Sequence, residues 1–173
     1  MSMCHKAYAL DNPLFSRELA PVLFHALATG DISDLSSFVD TDAKALTFPW
    51  DGSPLPEDWL SVLQAGDPHE IGDLALTKYY DVDDDCGLQE HWIEIDDQLS
   101  DAARPPDLAS WARLSGRPEN LFDPGRLGSY FQDPSEVVRS RDVVRTLSSF
   151  DLSRFLALLE GAARSGRGLY VTF

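Results

Sequence analysis

Three segments of this chain share one construction: an Asp, a Pro within two residues, and then apolar residues at helical spacing. They are Asp11-Asn12-Pro13, Asp67-Pro68-His69-Glu70 and Asp133-Pro134-Ser135-Glu136. A short acceptor side chain satisfies the unpaired N–H groups of a helix start, and Pro fits the first turn because its missing N–H would be unpaired there anyway. In the second and third segments the acid three residues after the Asp completes a capping-box pattern. Each segment is therefore predicted to start a helix at a fixed point, which leaves little freedom in how the chain is divided. Asp151 opens a fourth helix, and Gly30, Gly66 and Gly166 are the expected stops.

Between these points the periodicity reads as follows. Leu14, Phe15, Leu19, Leu23, Phe24 and Leu27 form a helical stripe broken by Pro21, so a kink or two short helices are expected there. Residues 31–39 suggest a short helix, 48–56 a proline-rich loop, and 56–64 another helix. Residues 81–87 form an acidic loop, after which a helix carrying Trp92, Ile95 and Leu99 is favoured over a strand. Residues 100–107 read as a linker, 108–114 as a short apolar segment of either type, and 116–127 as turn-rich. Strands are expected at 3–10, at 128–132 and at the end, Gly168-Leu-Tyr-Val-Thr-Phe173, which is rich in β-formers. The fold class that follows is α+β: a mostly helical single domain over 1–173 with a small sheet of those three strands. The 173 residues suit one domain and give a core that folds without a disulfide or metal.

Charge narrows the function classes. With 14 basic and 29 acidic residues the net charge is −15. A nucleic-acid binder needs cations to displace condensed counterions, and an anionic membrane surface also attracts basic segments. Both partners are therefore excluded at this stage. The charge is also uneven: residues 1–100 hold 4 basic and 20 acidic side chains, whereas residues 101–173 hold 10 and 9. One domain whose halves attract each other is the expected arrangement. Cys4 and Cys86 belong to no metal or redox spacing and read as reduced thiols. No signal sequence and no run of about 18 apolar residues occurs, so a cytoplasmic location is expected.

In the second half, Trp111-Ala-Arg-Leu-Ser-Gly-Arg-Pro118 and Gly128-Ser-Tyr-Phe-Gln-Asp-Pro-Ser-Glu-Val137 resemble the closing part of the YfbM-like family of uncharacterised bacterial proteins. Tyr130-Phe131 and Pro134-Ser-Glu-Val137 match its short segment ahead of a helix. Ala162–Phe173 matches its final helix and terminal strand. The resemblance covers the last 60 or so residues and the first few. It implies a fold, and no activity that carries over.

No nucleotide, zinc-protease or serine-hydrolase motif is present, and no cofactor is predicted. Asp81-Val-Asp83-Asp-Asp85-Cys-Gly87 approaches a calcium loop, but Cys86 stands at the glycine position and Trp92 at that of the bidentate Glu. The cluster reads instead as a contact surface for a basic protein. Trp50, beside Asp51 in a proline-rich loop, reads as an exposed anchor. The candidate partner-binding residues are thus Asp81, Asp83, Asp84, Asp85 and Trp50. The expected function is an acidic cytosolic protein-binding domain, of the kind that an immunity-type inhibitor uses against a basic toxin. The alternative is a carboxylate-dependent enzyme or a divalent-metal-binding protein, which requires a concave pocket lined by perturbed acids.

Overall fold

The computed structural model of the chain describes residues 4–63, 66–95, 122–125, 129–147 and 151–173. The expected linker at 100–107, the segment at 108–114 with Trp111, and most of the turn-rich stretch lie outside the described residues.

The helix starts are where the caps put them. Strand β1 (Lys6–Leu10) runs into Asp11, whose carboxylate accepts from the Leu14 N–H at 3.2 Å and opens α1 (Asn12–Glu18). Pro21 yields two helices rather than a kink. Helix α1 ends before Leu19 and α2 (Ala20–Thr29) begins with Pro21 in its first turn. Gly30 closes α2 at φ 76°, a left-handed conformation that costs glycine little. Helix α3 (Ser33–Asp42) follows, with Asp31 accepting from the Ser33 N–H at 3.0 Å. Helix α4 (Pro68–Leu76) is capped by Asp67, and α5 (Pro134–Val144) carries the full Asp133–Glu136 capping box. Helix α6 (Ser153–Ser165) ends at Gly166, with φ 65°.

One expected helix is not formed. Of the expected 56–64, the described residues 56–63 hold only a 3₁₀ turn, Trp59–Ser61. The reason is visible in its side chains. Trp59 is buried with its indole N–H on Asp40 at 2.9 Å, but Leu60 and Val62 face solvent. Trp59 and the partly buried Leu63 give only two inward positions, and with Leu60 and Val62 exposed that apolar face is too short to stabilise a longer helix. Residues 92–95 are helical, as favoured.

The described strands form one antiparallel sheet in the order β1, β3 (Gly168–Thr172), β2 (Tyr130–Gln132). The chain's last strand is thus the central one, and β1 from the acidic half is zipped along five residues to a strand from the other half. The ion pairs Lys78–Glu18, Lys78–Asp42 and Arg145–Glu160 each lie within one half. Paired backbone and shared apolar core join the halves in this sheet.

Strand alternation divides the sheet's two faces between two cores. Ala7, Leu169, Val171 and Tyr130 pack on one side with α5 and α6, through Val137, Val144, Phe155 and Leu159. Tyr8, Leu10 and Tyr170 face the other side, toward α1 to α4, with Phe15, Leu19, Leu23, Ile71 and Leu74. On this second face Phe131, Tyr170 and Tyr8 stand in register across all three strands. Their rings stack at 5.3 and 6.2 Å.

The outer edge of β1 is covered by residues 85–89. The Cys86 N–H donates to the Ala7 carbonyl at 3.0 Å, and His5 and Gln89 exchange backbone bonds at 3.1 Å. Covering the edge removes a row of unpaired donors and acceptors that would otherwise recruit another strand. The approach is close enough that Gly87 is obligatory, since a Cβ there would overlap the His5 carbonyl.

Candidate binding cleft

Helix α4 positions two acids over the aromatic face of the sheet. Ile71, Gly72, Leu74 and Ala75 turn into the core, and Gly72 lets α4 approach α2: a Cβ there would lie 2.5 Å from Leu23 and 2.9 Å from Phe122. The remaining side of the helix carries Glu70 and Asp73, one turn apart, and both line a cleft of about 430 Å³. Its floor and walls include Lys6 and Tyr8 from β1, Thr172 at the end of β3, and Tyr80 just after α4. Trp50 and Val62 form an apolar lip, respectively 56% and 54% exposed. The volume is that of a small-molecule site.

The chemistry centres on Asp73. The Tyr170 hydroxyl donates to its carboxylate at 2.9 Å. Thr172, which lines the same cleft, accepts from the Ser129 hydroxyl at 3.0 Å. Burial pushes the Asp73 carboxyl up to about 6, against the opposing effects of the Tyr170 hydrogen bond and the Lys6 charge. Burial also raises the phenols of Tyr8, Tyr80 and Tyr170, and the Asp73 charge adds to each shift. All three tyrosines therefore remain protonated at neutral pH, as hydrogen-bond donors and π surfaces. The Tyr8 and Tyr80 rings lie 4.5 Å apart.

A carboxyl group with a pKa near 6 in an aromatic cleft has two capacities. It is poised to give or take a proton near neutrality. When ionised, it is a partly desolvated anion that interacts strongly with any cation entering the cleft.

The residues singled out from sequence separate into three roles. Trp50 is exposed as expected, stacked on Phe48 at 4.5 Å, and forms the lip of the cleft. Asp81, Asp83 and Asp84 are exposed on their loop; Asp81 caps the Asp83 N–H at 3.0 Å. Gly52, on the same turn as Trp50, brings that turn beside the Asp83 carboxylate, 3.8 Å from where a Gly52 Cβ would stand. Asp85 does something else. Its carboxylate accepts from the Ala7 N–H at 3.1 Å, the Gly87 N–H at 2.9 Å and the Gln89 amide at 3.0 Å. It stands in for a strand partner on the edge of β1, so three acids of the loop lie exposed and the fourth holds the fold.

Among the described residues no three His, Cys, Asp or Glu side chains are grouped to hold a metal ion, and no helix is long and apolar enough to cross a membrane. Sequence reasoning missed Asp73, Tyr8, Tyr80 and Tyr170. One signal was available: Asp73 is the only charged residue in the buried run Ile71–Leu76. No family model, curated protein or solved structure matches the chain.

Proposed function

We propose that this chain is an acidic binding protein whose partner is a basic protein, docked where the Trp50–Val62 lip meets the Asp81–Asp84 loop. The observation that carries the reading is the lip itself. The Trp50 ring stays more than half exposed on a turn whose Gly52 lies beside the Asp83 carboxylate, and Val62, a branched aliphatic side chain lining the same cleft, is likewise more than half exposed. Aromatic anchors supply contact area, and surrounding like charges steer an oppositely charged partner. An immunity-type inhibitor of a cationic toxin in the cytoplasm is the biological form this chemistry suggests. The resemblance of Tyr130–Val137 and Ala162–Phe173 to the YfbM-like family supports a proposal of kinship in fold.

The test is affinity capture at low and high salt with wild type, Trp50→Ala and the triple variant Asp81→Asn, Asp83→Asn, Asp84→Asn. A basic protein retained by wild type, released by salt and lost with both variants is expected. Retention unchanged by both variants overturns the reading.

A second reading, carboxylate-dependent catalysis, is favoured by Asp73 alone, whose elevated pKa in a cleft is what a general acid or base needs. It requires an activity on some acyl, glycosyl or phosphoryl substrate that falls on the order of 100-fold in Asp73→Asn. An activity indifferent to that change removes Asp73 from the chemistry.

A further inference from the structure

We infer that the cleft is a receptor for a small organic cation: a guanidinium or primary ammonium group held against Asp73 and Glu70, with its apolar stem at Trp50 and Val62. The inference rests on the cleft and not on the docking of a protein.

The walls select this chemistry. Two carboxylates one helical turn apart open into the same space as the rings of Tyr8, Tyr80 and Trp50. Carboxylates combined with aromatic faces attract cations twice, by charge and by the ring quadrupole. An ionised carboxylate has about four lone-pair sites, and the Tyr170 hydroxyl uses one on Asp73, so a guanidinium fork can still be accepted.

Other ligand classes fit less well. An anion would meet both acids and a chain of net charge −15, with Lys6 the only basic side chain among the described residues that line the cleft. A neutral ligand would exclude water from Asp73 and supply no countercharge, which is costly for a buried carboxylate. A cation supplies that countercharge, and the field of the whole molecule concentrates it at the mouth.

The source of the cation is either a free amine or guanidine, or an arginine side chain of a protein. The experiment is a titration of the full chain followed by the indole and phenol NMR signals of Trp50 and Tyr80, at constant ionic strength. The ligands are butylguanidinium chloride, its neutral isostere butylurea, and the capped peptide acetyl-Gly-Arg-Gly-amide. Butylguanidinium is expected to shift both signals and to bind at least tenfold more tightly than butylurea. Asp73→Asn is expected to weaken it at least tenfold; if that variant does not fold, Glu70→Gln takes its place with the same expectation. Equal affinity for butylguanidinium and butylurea, or an affinity unchanged in the folded variant, overturns the inference. A peptide at least as tight as butylguanidinium assigns the source to a protein side chain, and a weaker one assigns it to a free small molecule. Loss of butylguanidinium binding alongside intact, salt-sensitive capture of a basic protein would remove this inference and leave the docking reading standing.

Discussion

The Tyr170 hydroxyl donates to the Asp73 carboxylate across 2.9 Å, joining residues 97 positions apart in the sequence. Tyr170 sits in the middle of the central strand and Asp73 on a side of α4 that looks into the cleft. The bond fixes the acid where burial raises its pKa, so the fold keeps an acid in a place that opposes its ionisation.

That arrangement has a cost that varies with pH. The unfolded carboxyl ionises near 3.8 and the folded one near 6, so between these values the folded chain holds a proton the unfolded chain has lost. Stability from this group is therefore greatest below the lower value and falls as the pH rises through the upper one. Asp73→Asn removes the effect, and at pH 7 it is expected to be more stable than wild type by on the order of 1–3 kcal/mol. The difference should shrink as the pH is lowered from 6 to 4, measured by urea unfolding of both proteins. A difference that stays constant over that range would show that Asp73 titrates normally.

His5 acts with the opposite sign. Burial lowers its pKa to about 4, and its Nδ1 accepts from the Leu88 N–H at 3.1 Å. The ring stays neutral in the fold while the unfolded ring takes a proton near 6.5. The stability this gives is present above the unfolded value and is lost as the pH falls through the folded one, by on the order of 3 kcal/mol in total. The direct check is the His5 ring-proton shift in NMR, which should titrate with a midpoint near 4. A midpoint near 6.5 would contradict the buried, accepting ring.

The acidic loop should divide under mutation. Asp85→Ala leaves the Ala7 and Gly87 N–H groups without their acceptor and is expected to cost about 1–3 kcal/mol. The triple change of Asp81, Asp83 and Asp84 to Asn should stay within about 0.5 kcal/mol of wild type, because all three are exposed and Asn can keep the cap. Denaturant melts separate the two, and equal costs would refute the division.

Gly87→Ala tests the covered edge of β1. A methyl group there overlaps the His5 carbonyl, which is backbone and paired with the Gln89 N–H at 3.1 Å. Relief requires lifting residues 85–89 off the strand, so a loss of about 2 kcal/mol or more is expected, with faster amide exchange at Ala7 and Gln89. Unchanged exchange at both sites would argue against that contact.

Trp50→Ala should separate binding from folding. The ring is more than half exposed and its one described ring contact is Phe48. A stability loss of about 1 kcal/mol is expected from that stacking. A much larger loss would mean that the lip is part of the core.

Much of the framework was legible because its determinants are local. Asp11, Asp67 and Asp133 cap helices through bonds to N–H groups two or three residues away, and Gly30 and Gly166 end them through their own backbone angles. Pro21 splits its helix for the same kind of reason. The α+β class and the three strands follow from such signals, as does the exposure of Trp50.

Tertiary structure alone decided the rest. Nothing near Val171 in sequence says that β3 lies between β1 and β2, because strand order depends on partners more than 30 residues away. Trp59 looked like part of a helix, but it lies in a 3₁₀ turn whose buried indole bonds to the distant Asp40 while Leu60 and Val62 face solvent. Asp85 looked like its exposed neighbours until β1 placed an unpaired N–H beside it. Asp73, inside an apolar run, became the centre of a cleft only when Tyr8, Tyr80 and Tyr170 closed around it. Hydrogen-bonded caps are written in adjacent residues, whereas desolvation is set by whatever the folded chain brings near, and the candidate site is made by desolvation.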